Sequence, residues 1–193
     1  SRQQYVIIKK KNRKFRRYFS LDRHKQMFKD IGIKCLVNYY KRDIKGFTKD
    51  TIGVELKYQV QIDGINFNCI IDRLDKKKDG VYVIYDYKTG KKPLTHSKAI
   101  NDLQLSLYQL AVREKYNDCN EIILKWYYLR TDEIVSIKHN TEKLLELKNV
   151  IINQVIKINE DDKYEAKKSI LCDWCYFWEE CEIMSTSNPA KKL

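Results

Sequence analysis

The strongest constraint on this chain is the span from Asn68 to Gly90, where acids interrupt sequence that otherwise reads as buried strand. Two apolar, β-rich runs flank a polar break from Lys76 to Gly80, and Asp79-Gly80 is a strong signal for a tight turn between antiparallel strands. Strands over about 65–74 and 81–88 follow from that signal. Along the second, Val81, Val83, Tyr85 and Tyr87 take one face, and Tyr82, Ile84, Asp86 and Lys88 the other. Asn68, Ile70 and Asp72 share a face of the first, so the obvious register brings Asp72 near Asp86 and Lys88. Two carboxylates in one half-buried place repel, and one is forced neutral unless a cation intervenes. Paired carboxylate oxygens suit Mg²⁺ or Mn²⁺, with positions left for water and a phosphate oxygen. Beside them a lysine can orient an attacking water. The same spacing also fits a surface hairpin with a Lys–Asp pair.

Around this hairpin the chain alternates between helical and strand periods. Residues 20–42 read as a helix, with Ser20 as N-cap and Met27, Phe28, Ile31, Leu36 and Tyr39 as its apolar stripe. A first strand over about 52–62 carries Glu55, opposite in phase to Val54, Leu56, Tyr58 and Val60. Glu55 is thus either a solvent-facing residue or a further acid of the site. A polar loop over about 89–99 precedes a helix over about 100–116, on which Gln104 and Tyr108 stack four apart. Strands at about 121–130 and 134–138 and a helix to about 158 complete the core. His24, His96 and His139 show no metal-ligand spacing and read as surface residues.

Composition narrows the partners. With 38 Lys+Arg against 26 Asp+Glu, a net charge of +12 favours a polyanion, with nucleic acid ahead of an anionic membrane. The basic stretch of residues 1–19, interleaved with Phe15 and Tyr18, reads as a phosphate-contacting arm or a solvated tail. No apolar run reaches transmembrane length and no secretory signal opens the chain, so a cytoplasmic, reducing compartment is expected. In the tail, Cys172, Cys175 and Cys181 form a C-x₂-C-x₅-C pattern, the spacing of thiolates that share a metal, either zinc or an iron–sulfur centre. Reduced free thiols are the alternative.

Asp72, Asp86-Tyr87-Lys88 and the flanking Ile71-Asp-Arg-Leu-Asp75 and Lys88-Thr-Gly90 resemble the PD-(D/E)XK nuclease superfamily. Gln104 and Tyr108 resemble the Gln-x-x-x-Tyr helix of its RecB-like branch, which includes AddB-type and CRISPR-associated nucleases. The resemblance spans roughly residues 50 to 181. It implies a restriction-endonuclease-like αβββαβ core, with a mixed central sheet flanked by helices and a C-terminal cysteine lobe. On that reading the chain is one nuclease domain: a basic arm (1–19), a core (20–160) and the lobe (161–193). It further implies a Mg²⁺- or Mn²⁺-dependent DNA nuclease, often an exonuclease in repair and partnered with or fused to a helicase. Asp72 and Asp86 would be metal ligands, Lys88 the water-orienting group, Glu55 a third acid, and Gln104 and Tyr108 nucleic-acid contacts. The cysteines would hold a [4Fe–4S] cluster whose fourth ligand is expected upstream of Ser1, or at Cys35. A catalytic histidine motif of the branch is likewise expected upstream, because the setting of His24 does not match it. A nuclease fold kept only for binding, and an RNA substrate, remain the competing expectations.

Overall fold

The computed structural model of the chain describes residues 22–43 and 49–184. The basic arm, Ser20 and the side chain of His24 lie outside the described residues. The chain divides into two compact units, one of residues 31–160 and one drawn from both ends, of which 22–30 and 161–184 are described.

Residues 31–160 hold a five-stranded mixed sheet. The helix α1 (Asp22–Asp43) leads into β1 (Thr51–Ile62), β2 (Ile65–Lys76) and β3 (Val81–Lys88). Two helices follow, α2 (His96–Ile100) and α3 (Leu103–Lys115), then β4 (Glu121–Tyr128), β5 (Glu133–Ile137) and α4 (Thr141–Glu160). The strands lie in the order β1-β2-β3-β4-β5. All neighbours are antiparallel except β3 and β4, which run parallel because α2 and α3 carry the chain back across the sheet. This is the expected restriction-endonuclease-like α/β arrangement.

Helices cover both faces of the central strands. Tyr82 and Ile84 of β3 and Ile122, Leu124 and Trp126 of β4 pack with Leu105 and Val112 of α3 in one buried core. The opposite face receives α1: the rings of Tyr39 and Tyr87 meet edge to face at 5.4 Å, and Tyr127 donates its hydroxyl proton to the Asn38 carbonyl. Trp126 and Tyr127, adjacent on β4, are both fully buried, as they must be in a strand covered on both sides.

The sequence predicts a polar loop over about 89–99 and a helix over about 100–116; the structure starts that helix at Leu103 and folds the end of the loop into the short α2. Thr95 caps α2 by accepting from the Lys98 N–H, and Asp102 restarts the chain as N-cap of α3, accepting from the Leu105 N–H at 2.8 Å. The β2–β3 turn falls where Asp79-Gly80 signalled it, as a single 3₁₀ turn with both residues left-handed (φ 58° and 68°). Asn120 pins it, donating its backbone N–H to the Gly80 carbonyl and its side-chain amide to the Asp79 carbonyl. A β-carbon on Gly80 would stand 2.1 Å from the Asp118 carbonyl oxygen. Gly80→Ala is therefore expected to cost about 2–4 kcal/mol, the sum of left-handed strain and a backbone clash. Thermal unfolding measures it; a Tm within 2 °C of wild type would show the turn adapts freely.

Candidate active site

The acids meet where the sheet is irregular. On β2, Cys69 and Ile71 are buried, and so is Leu74, three residues beyond Ile71 in the same core. Strict alternation therefore fails between Ile71 and Leu74, and Asp72 stands at the switch. The paired stretch of β1 is irregular at the same level: a bulge lies between Thr51 and Gly53, and Glu55 adopts φ 49°. Just there the β2–β3 ladder ends, its last paired residues being Arg73 and Tyr85. Instead of another ladder bond, Asp72 Oδ2 accepts the backbone N–H of Tyr87 at 2.8 Å. Asp72 is thus held against β3 by the residue lying between Asp86 and Lys88.

Asp86 continues the core face of β3 beyond Ile84, in register with Trp126 of β4. It is only 4% exposed. Lys88 Nζ stands 2.7 Å from the shielded Asp86 Oδ2 and pairs with it. The Trp126 indole N–H is buried without a hydrogen bond among the described residues. Burial pushes the Asp86 carboxyl above its ordinary range; Lys88 opposes the shift, and the negative charges of Asp72 and Asp102 add to it. Burial by itself would lower the Lys88 ammonium, but its pairing with Asp86 and the charges of Asp102 and then Asp72 together hold it above its ordinary value. Carboxylates therefore outnumber the cations here, and Lys88 does not offset the burial of Asp86. A divalent cation fits such a place: Mg²⁺ needs only one or two protein carboxylates and retains several waters. Among the described residues no three His, Cys, Asp or Glu side chains converge on a metal-sized position, so Asp72 and Asp86 would supply the protein ligands with water completing the shell.

The structure brings Asp72, Asp86 and Lys88 together and stacks Gln104 on Tyr108, the amide donating to the phenol oxygen at 3.2 Å. Glu55 lies between the Val54–Arg73 and Leu56–Ile71 pairs, level with Asp72, but it is exposed and makes no hydrogen bond or ion pair among the described residues. Asp102 was not singled out in the sequence. Its signal, an Asp three residues before Leu105 at a helix start, reads only as a cap. His139, expected at the surface, is buried between Ile100 and Gln109.

In the other unit, Cys172 lies in a 3₁₀ turn (Ile170–Trp174), and its thiol accepts the Ser169 N–H at 3.3 Å in a local cap. Cys172, Cys175 and Cys181 are free thiols that do not gather as a metal-holding group among the described residues, which gives no support to the expected [4Fe–4S] cluster or to zinc. No helix among the described residues is long and apolar enough to cross a membrane.

The family model of the PD-(D/E)XK nuclease superfamily matches residues 8–182. No curated protein matches the sequence. Similar solved structures include that of SSO0001, at 14% identity over 84% of this chain and 80% of that one, TM-score 0.44. Another is a protein described as "Putative exonuclease" from Eubacterium rectale, at 16% identity over 85% of this chain and 60% of that one, TM-score 0.42. The family match spans nearly the whole chain and takes in the β2–β3 acids, the lysine beside them and the helix that follows: this chain belongs to the PD-(D/E)XK nuclease superfamily.

Proposed function

We propose that the chain is a divalent-metal-dependent DNA nuclease of the RecB-like branch, with Asp72, Asp86 and Lys88 as its catalytic residues. The observation that carries this reading is the buried Asp86 carboxylate, set beside Asp72 at the frayed end of the β2–β3 ladder with Lys88 against it. Asp72 and Asp86 would hold Mg²⁺ or Mn²⁺, and the bound ion supplies Lewis-acid stabilisation of charge on the phosphodiester. Lys88, a third exposed, presents its ammonium at the mouth of the site, where it orients a water or steadies a phosphate oxygen. The fixed Asp86–Lys88 pair keeps that ammonium in place before substrate arrives. Gln104 and Tyr108, stacked on α3, offer a donor and a ring edge to the sugar–phosphate backbone. Glu55 is a candidate third acid that would have to turn inward. A role as an exonuclease in DNA repair, acting in the cytoplasm with a helicase partner, goes with this branch reading, as does treating the whole chain as one nuclease domain.

End-labelled single- and double-stranded DNA and RNA, incubated with and without Mn²⁺, test the proposal. Mn²⁺-dependent cleavage of DNA supports it; cleavage of RNA alone moves the substrate class, and binding without cleavage leaves a binding module. Affinity for uncleaved DNA should also fall with salt. If about four phosphates are neutralised by the basic surface, binding weakens about 10²-fold between roughly 50 and 200 mM salt. A salt-independent constant, measured by fluorescence anisotropy, would remove the +12 charge from the account.

A further inference from the structure

His139 follows β5 and is 8% exposed. Its Nε2 lies 2.9 Å from the carbonyl oxygen of Ile100, the last residue of α2, and its Nδ1 lies 2.9 Å from the side-chain amide of Gln109, fully buried on α3. A carbonyl only accepts, so Nε2 carries a proton. Burial pushes the imidazole below its ordinary pKa, so the ring is neutral and Nδ1 is a bare acceptor. The Gln109 amide then turns its NH₂ to Nδ1. The ring thus ties the end of α2 to the middle of α3. A second strut stands beside it: Lys143 Nζ donates to Asn101 Oδ1 at 2.7 Å, and Lys143 is itself seated by the Asn140 cap of α4.

Both struts grip Ile100 and Asn101, the two residues immediately before Asp102. Asp102 starts α3, and its charge acts on both Asp86 and Lys88; Gln104 lies two residues on. We infer that His139 is a positioning residue for the cleavage site: with Lys143 it clamps the α2–α3 joint and so fixes where Asp102 and Gln104 stand relative to Asp86 and Lys88. This rests on the nuclease reading for its kinetic consequence, but the clamp itself does not.

The test uses His139→Phe, which keeps a ring but removes both hydrogen bonds, and His139→Gln, which restores a donor near the Nε2 position. Misplacing catalytic groups by about an ångström costs up to about 10²-fold. His139→Phe should therefore lower kcat for Mn²⁺-dependent cleavage by about 10–100-fold with KM changed less than about threefold, and His139→Gln should recover most of the loss. Independently of cleavage, hydrogen exchange at residues 101–106 should quicken in His139→Phe and return in His139→Gln, with β4 unchanged. Wild-type kcat in folded His139→Phe, a loss entirely in KM, no recovery in His139→Gln, or unchanged exchange at 101–106 would each overturn the clamp. Should the wild type cleave nothing, the nuclease reading fails and the exchange measurement still decides the clamp. If His139→Phe does not fold, Lys143→Met, outside the core, decides by the same two readouts.

Discussion

Asp86→Asn is expected to abolish cleavage without harming the fold. Metal stabilisation of transition-state charge is worth several kcal/mol, so loss of a ligand should lower kcat by about 10³-fold or more. DNA binding should change little, because affinity comes mainly from phosphate contacts elsewhere. Stability should hold or rise, because the metal-free protein keeps a carboxylate whose burial, with the charges of Asp72 and Asp102 beside it, outweighs its pairing with Lys88. The sign of the pH dependence follows. Asp86 titrates higher in the folded chain than in the unfolded one, so its contribution to stability is present at low pH and lost as pH rises through that elevated value. Asp86→Asn removes that loss. Activity gone with Tm unchanged or raised is the signature of a functional acid kept at the expense of stability. Activity retained within tenfold would take Asp86 out of the site, and a large fall in Tm would make it a structural residue.

Arg73→Leu should have the largest effect on stability. Arg73 is 2% exposed, and its guanidinium grips Asp75 through two bonds, Nε to Oδ1 at 2.7 Å and Nη2 to Oδ2 at 2.8 Å. Its third nitrogen reaches Asp43 at the end of α1 at 3.0 Å, and the Tyr85 ring lies 4.7 Å beneath it. Leucine fills part of the volume but leaves the Asp75 carboxylate buried with, among the described residues, only the Thr51 hydroxyl as a donor. Removing one member of a buried, hydrogen-bonded ion pair costs about 3–5 kcal/mol, most of it from the charge left behind. Denaturant unfolding should show that loss in Arg73→Leu, and Arg73→Leu combined with Asp75→Asn should recover part of it. A loss below about 1 kcal/mol would mean the network is solvated and does not hold α1 to β2.

The sequence carries the centre of this molecule because two local signals agree there. A left-handed turn at Asp79-Gly80 and a period of two on β3 together fix a register, and the register brings Asp72, Asp86 and Lys88 to one place. That argument succeeds although alternation breaks on β2, since the break falls between Ile71 and Leu74 and the register with β3 is set beyond it. What the sequence hides is set by contacts between distant segments. Asp102 looks like any N-cap, and only the fold returns the start of α3 to the end of β3. His139 reads as a lone polar residue after a strand, because its partners, Ile100 and Gln109, are 39 and 30 positions away. The short helix α2, folded from the stretch expected as loop, depends on the same corner. Glu55 is set apart by its phase from the apolar positions of β1, and the structure leaves it exposed in a left-handed conformation.

The most direct test of the account is cleavage of end-labelled DNA under single-turnover conditions as Mn²⁺ is titrated, with wild type and Asp72→Asn in parallel. Wild-type cleavage should saturate with Mn²⁺ and stop on chelation, while Asp72→Asn should stay uncleaving or need at least about tenfold more Mn²⁺, as expected when one of two protein ligands is lost. Cleavage by the wild type in excess chelator, or an unshifted Mn²⁺ dependence in Asp72→Asn, would contradict a metal held between Asp72 and Asp86.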